Sequence, residues 1–185
     1  MTCYLIRHGK DDDTVRGGWS DTPLTEQGIA DVHNLAQTLA ADTHLNLAYL
    51  FSSDLLRARQ TTEILAAALH IDVTYLPDFR EVNNGVLSGM NNDLAAIRFP
   101  GLFWNTLGWD ECYPEGESPH QFYDRVSAAW TAFKQRAPEL DGNAALITHG
   151  GVINIIYCIE NGIPYSNRNK PISVKNTGLL AIDIT

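Results

Sequence analysis

Four short polar segments of this 185-residue chain hold residue types that can do chemistry together. Arg7-His8-Gly9 sets a guanidinium beside an imidazole. Ser52-Ser53-Asp54 leads three residues later to Arg57. Arg80-Glu81 adds a carboxylate, and His149-Gly150-Gly151 adds a second imidazole. Transfer of a phosphoryl group uses such a set. An imidazole nucleophile must be neutral at rest, and flanking cations favour the neutral form because a second positive charge nearby is repelled. Arg7 and Arg57 can do this while gripping phosphate oxygens through their planar forks. A second histidine can stabilise charge in the transition state. A carboxylic acid can protonate the leaving alkoxide and later deprotonate the attacking water. Glycines at 9, 150 and 151 let backbone N–H groups approach an oxyanion, and a helix opening at Gly150-Gly151 favours anions at its N-terminus.

These residues need a scaffold that brings them together. Strand-like and helix-like segments alternate along the chain. Residues 3–6, 47–51, 72–76, 144–148 and 178–184 read as strands. Residues 26–41 keep a helical period, with Ile29, Val32, Leu35, Ala36 and Leu39 on one face, and residues 54–69 read as a second helix. Ser118, Pro119 and Gln121 form a capping-box pattern that opens a helix with Phe122, Val126, Ala129, Trp130 and Phe133 as its buried stripe. Residues 151–161 are a very apolar helix. Between them, residues 83–117 are rich in Gly, Asn, Pro and Trp, with a weak helical stretch at 92–98. This alternation implies an α/β fold whose mostly parallel sheet is covered on both faces. Ligands of such sheets bind beyond the carboxyl ends of the strands. All four polar segments follow a strand end.

Composition narrows the partners. One domain spanning residues 1–185 fits this length. The formal charge of −9 argues against nucleic acid or an anionic membrane surface. No apolar run is long enough to span a bilayer, and the N-terminus lacks the basic leader of a signal peptide. Three cysteines, Cys3, Cys112 and Cys158, form no CxxC pair, which argues for a reducing, cytoplasmic setting. A small phosphorylated substrate remains compatible with the charge, because clustered arginines override the net field at short range.

Six segments resemble the histidine phosphatase superfamily, which includes the cofactor-dependent phosphoglycerate mutases. They are Leu5-Ile-Arg-His-Gly9, Asp21-Thr-Pro-Leu-Thr-Glu-Gln-Gly28, Ser52-Ser-Asp-Leu-Leu-Arg-Ala-Arg-Gln-Thr61, Phe79-Arg-Glu-Val-Asn-Asn-Gly-Val-Leu-Ser-Gly89, Pro114-Glu-Gly-Glu-Ser118 and Thr148-His-Gly-Gly151. They occur in family order, with Asn176-Thr177 as a weaker echo. The resemblance implies a three-layer α/β/α sandwich. It makes His8 the phosphorylated nucleophile, Arg7, Arg57 and His149 the phosphate pocket, Glu81 the proton donor and Gly150 a backbone N–H donor. Asp54, Asp78 and Glu117 are the alternatives to Glu81. No cofactor and no metal ion is expected. Histidines and carboxylates also suit a metallohydrolase, but arginines in the same pocket disfavour a cation, and no HxxxH or HxH pair is present.

Two departures from the family pattern bear on substrate preference. The family has an Asn shortly after its RHG triplet; here Lys10-Asp11-Asp12-Asp13-Thr14 follows, and Thr14 is the residue placed to substitute in binding phosphate. The usual Trp-Glu-Gly after Gly85 is Leu87-Ser88-Gly89. The Asp11–Asp13 run is expected to be a solvated loop, and Trp104 and Trp109 part of a packed flap. Residues 82–117 carry Arg98 against Asp93, Asp110, Glu111, Glu115 and Glu117. That balance predicts a phosphomonoester hydrolase with little mutase activity, and the Asp11–Asp13 run at the mouth predicts leaving groups that are neutral or cationic. The rival functions are a phosphoglycerate mutase-type phosphotransferase and a phospho-ligand binding module without catalysis. The second would be expected to have lost one of the five site residues.

Overall fold

The computed structural model describes residues 1–184, apart from the Pro138 side chain. Its five-stranded sheet runs in the order β3-β2-β4-β1-β5, formed by β1 (Thr2–Arg7), β2 (Leu47–Ser52), β3 (Val73–Tyr75), β4 (Asn143–Thr148) and β5 (Leu179–Asp183). The first four are mutually parallel, and β5 is antiparallel to β1. Side chains alternate across the sheet because the strand period is two. Leu5 and Leu146 therefore face Phe122, Val126, Trp130 and Val152 on one side. Ile6 and Ile147 face Val32, Ala36, Ala58 and Leu65 on the other. Helices α1 (Glu26–Ala41) and α2 (Leu56–Leu69) cover that second face, while α4 (Pro119–Arg136) and α5 (Gly150–Glu160) cover the first. A short α3 (Asn92–Arg98) lies in the 83–117 segment. The result is the three-layer α/β/α arrangement.

The helix starts follow their local chemistry. Thr25 caps α1 by accepting from the Gly28 N–H. Ser118 and Gln121 form a reciprocal capping box on α4, with Pro119 at its first position. One expected face is rotated: Ile29 is 37% exposed, and Gly28 is buried in its place. A Cβ on Gly28 would stand 2.1 Å from the Lys10 carbonyl oxygen. The helix thus meets the loop after β1 at a position where no side chain fits, and that contact sets its rotation.

Residues 83–117 build a small core of their own from Leu87, Ala95, Leu107 and Tyr113, with Trp104 packed against it. Trp109 lies outside that core and stacks on His120 instead. No helix among the described residues is long and apolar enough to cross a membrane.

The strand registers decide where the polar segments emerge. Arg7 pairs with Thr148, and Ser52 with Ile147. The residues that follow, His8, His149 and Ser53, therefore leave three adjacent strands side by side.

Candidate active site

His8 is 4% exposed, and its ring is fixed from both sides. Nδ1 lies 2.7 Å from the Gly9 carbonyl oxygen. A carbonyl can only accept, so Nδ1 carries the proton and donates it. Nε2 then holds the lone pair, and the Arg57 Nε–H points at it from 3.3 Å. Burial and the Arg57 charge drive the pKa of His8 well below the ordinary imidazole value, with Arg7 adding to the effect and the Gly9 hydrogen bond opposing it. The ring is a neutral imidazole whose Nε2 lone pair accepts from a guanidinium.

Its backbone is held just as closely. The Asn176 side-chain amide donates to the carbonyls of His8 (3.0 Å) and Gly9 (3.1 Å). The Thr177 N–H donates to the Arg7 carbonyl at 3.0 Å. The weak sequence echo near the C-terminus thus positions the His8 turn. The Gly9 N–H is taken by Thr61 Oγ1 at 2.9 Å, so it is no oxyanion donor, contrary to expectation. Gly9 is required for packing instead: a Cβ there would stand 2.7 Å from Val32.

Around His8 stand cations and a second imidazole. Arg57 is 2% exposed and is oriented by the carbonyls of Gly18 (2.8 Å) and Ser20 (3.2 Å). The neighbouring Arg59 is solvated and pairs with Glu63. The His149 ring lies 5.0 Å from that of His8, with Nε2 2.8 Å from Ser53 Oγ. Burial, then Arg57, then His8 itself push the pKa of His149 well down. Arg7 is anchored by a bond from Nη1 to the Val174 carbonyl. Arg7 Nε and His149 Nδ1 are buried without a protein partner. The Arg7 Nε–H suits an anion, since an unmet buried N–H costs about 1–3 kcal/mol.

Glu81 joins this group from the segment that follows β3. Its Oε2 accepts from the Gly151 N–H, near the start of α5, and its Oε1 from the Val82 N–H, each at 3.0 Å. Gly151 therefore serves Glu81 and not an oxyanion. A Cβ on Gly151 would stand 2.3 Å from Oε1. Of the alternative carboxylates, Asp78 is exposed and lines neither of the site's two cavities, and the other two are otherwise engaged. Asp54 is held by Arg80 at 2.5 and 2.6 Å, and Glu117 by Arg125 at 2.7 and 2.8 Å. Arg125 also donates to the carbonyls of Asp78, Arg80 and Glu81, and Trp19 Nε1 donates to the Glu81 carbonyl at 2.7 Å. These contacts lock the Glu81 segment against α4.

Two cavities meet here. One of about 360 Å³ contains His8, Arg57 and the Asp11 loop; the other, about 470 Å³, reaches Trp104, Tyr113, Asn154 and Tyr165. Arg7, Arg16, Gly17, Gly18 and Glu81 line both and mark their junction. Among the described residues, no group of three His, Cys, Asp or Glu side chains is arranged to hold a metal ion.

A family model described as the histidine phosphatase superfamily, branch 1, matches residues 3–185. This chain belongs to that superfamily. A relative named probable phosphoglycerate mutase GpmB, from Escherichia coli O1:K1, is 32% identical over 171 residues, covering 89% of this chain and 76% of its own. The alpha-ribazole phosphatase of Shigella flexneri superposes with a TM-score of 0.83 at 25% identity, covering 99% of this chain and 90% of that one. A mycobacterial glucosyl-3-phosphoglycerate phosphatase with inorganic phosphate superposes at 0.80 with 24% identity, covering 98% and 89%. The last supports the fold alone.

Within this candidate site, the segment after the RHG triplet departs from its sequence reading. Thr14 is exposed and its hydroxyl is bonded to Asp12, so it does not join the other site residues. Asp12 and Asp13 are solvated as expected, but Asp11 is not. Its carboxylate turns inward to lie 3.4 Å from Arg57 Nε. Burial raises its pKa, against the opposing pull of Arg57 and Arg7 and with a small push from Asp13. Asp11 thus competes with any anion drawn to Arg57. Asp11→Asn should tighten competitive inhibition by inorganic phosphate about three- to tenfold near neutral pH, and less at acid pH, where wild-type Asp11 loses its charge. An unchanged inhibition constant across the pH range would show that Asp11 swings clear when phosphate binds.

Proposed function

We propose that this superfamily member is a phosphomonoester hydrolase that passes the phosphoryl group through His8. The observation that carries the reading is the fixed tautomer of His8: Nδ1–H is bound to the Gly9 carbonyl, leaving the Nε2 lone pair facing Arg57. The substrate phosphoryl sits among Arg7, Arg57 and His149, and the buried unpaired Arg7 Nε–H donates to its oxygens. His8 Nε2 attacks phosphorus in line with the leaving oxygen. Glu81 gives that oxygen a proton, and the alcohol departs. Water then attacks the phosphohistidine, Glu81 takes the water's proton, and inorganic phosphate leaves. The Gly150 N–H, at the first position of α5, adds a donor to the same oxygens.

Positive charge from Arg7 and Arg57 supplies what a metal would, so no ion is assigned a role. A small phosphorylated molecule is the partner, not nucleic acid, in keeping with the charge of −9. Residues 1–185 act as one domain. Free thiols at buried Cys3 and Cys158 and at exposed Cys112 fit a reducing cytoplasm.

The mutase reading has one specific support, the name of the sequence relatives. A mutase must keep water from its phosphoenzyme. Here the wall of the larger cavity is open, with Phe103, Asn105, Asn169 and Lys170 exposed, so water should reach the site. Incubation with 3-phosphoglycerate and a trace of 2,3-bisphosphoglycerate, in excess EDTA, should yield inorganic phosphate and little 2-phosphoglycerate. Efficient isomerisation without phosphate release would establish the mutase; activity that needs added metal would establish a metallohydrolase.

A further inference from the structure

His8 and Arg57 line only the smaller cavity, so a phosphoryl group held there directs the alcohol part of its substrate past Glu81 into the larger one. The charge count of residues 82–117 suggested an acidic lining, and that expectation fails. None of the five carboxylates of that segment lines the cavity. Asp110 pairs with His120, Glu111 accepts from the Gly108 N–H, Glu117 is clamped by Arg125, and Asp93 and Glu115 are exposed. The charges that do line it come from elsewhere in the chain. Besides Arg7 and Glu81 they are Arg16, which shares the junction with those two, and Lys170, which lines the larger cavity alone.

Arg16 has the features of a ligand contact. Its guanidinium lies over the Phe103 ring, 4.6 Å from the centroid, and Phe103 lines the larger cavity but not the one that holds His8. That ring fixes its direction and shields it from water. Its Nε is buried without a hydrogen-bond partner, and Arg16 makes no ion pair among the described residues. In a chain carrying nine excess negative charges, a half-buried arginine left without a carboxylate calls for an anion from outside. Lys170 at the rim also makes no ion pair among the described residues. A second unmet group lies deeper. Asn154, on α5, is 5% exposed, and its Oδ1 is buried without a donor.

We propose that the alcohol part of the substrate carries a second anionic group, a carboxylate or another phosphate, held by Arg16 with Lys170 beside it, and a hydroxyl that donates to Asn154 Oδ1. The aromatic wall of Trp104 and Tyr113 packs the carbon skeleton between them. This assignment rests on the phosphatase reading and replaces the expectation of neutral or cationic leaving groups. The cations were missed because residues 16 and 170 are far apart in sequence and belong to no motif.

Four probes test it: p-nitrophenyl phosphate, glycerol 1-phosphate, 3-phosphoglycerate and glycerol 1,3-bisphosphate. The last three share a three-carbon skeleton and differ in carrying no second anion, a carboxylate or a phosphate. Wild-type kcat/KM for phosphate release should exceed that on glycerol 1-phosphate by about tenfold or more for at least one of the two doubly anionic probes, and the favoured one identifies the group. Arg16→Ala should erase that preference while changing turnover of p-nitrophenyl phosphate and glycerol 1-phosphate less than about threefold; Arg16→Lys should keep part of it. Equal loss on all four would place Arg16 on the reacting phosphoryl and overturn the proposal. So would a wild-type enzyme indifferent to the second anion. Failure of the wild type to release phosphate from any of the four, p-nitrophenyl phosphate included, would instead bring down the phosphatase reading.

Discussion

His8→Ala should lower phosphate release on every substrate by about 10⁴-fold or more, the scale expected when a nucleophile is removed. None of its three neighbours is placed to replace it. His149 Nε2 faces Ser53, and both guanidiniums lack a lone pair. A wild-type sample mixed briefly with ³²P-labelled substrate and quenched in alkali should carry an acid-labile phosphoryl group on His8; His8→Ala should carry none. The pH profile gives an independent sign. His8 attacks only as the neutral ring, and burial and Arg57 hold its pKa well below the imidazole range. Lowering the pH from 7 through the ordinary imidazole value should therefore leave the nucleophile unprotonated, and the acid limb of kcat/KM due to His8 should lie well below that value. Full turnover by His8→Ala, with an unchanged circular dichroism spectrum, would end the phosphohistidine mechanism.

Glu81→Gln should separate substrates by their leaving groups. An alkyl phosphate expels an alkoxide that needs a proton, so its turnover should fall about 10²- to 10⁴-fold. The p-nitrophenolate ion leaves without one, so p-nitrophenyl phosphate should lose less than about tenfold in the phosphorylation step. Gly151→Ala offers a second route to the same pattern. The new Cβ, 2.3 Å from Oε1, must push Glu81 off its seat on α5 while leaving the carboxyl group chemically intact. Both variants should show the alkyl-selective loss. Equal losses on the two substrate types would give Glu81 a purely structural role, and an unaffected Gly151→Ala would mean the carboxylate does not act from this position.

Much of the architecture was legible before any coordinates. The strands at 3–6, 47–51 and 144–148 are short apolar runs followed at once by polar residues, and strand and helix periods are local properties. The rule that parallel strands deliver ligand residues at their carboxyl ends then placed His8, Arg57 and His149 in one region, because each lies within a few residues of such an end. The capping box at Ser118 was equally readable, since all its partners sit within one helical turn.

What sequence spacing did not determine was which partner each polar group takes. The N–H groups of Gly9 and Gly151 looked free for an oxyanion, but Thr61 and Glu81, brought in by tertiary packing, accept from them. Asp11 looked solvated by its acidic neighbours, yet the turn of the loop aims it at Arg57. The five carboxylates of residues 82–117 looked like a cavity lining, whereas the path of that segment turns them elsewhere and leaves the place to Arg16 and Lys170. A chain's local pattern determines the strands, the helices and the set of groups at the strand ends. The direction of a side chain and the owner of a hydrogen bond depend on contacts between residues far apart in sequence, and only the assembled fold decides them.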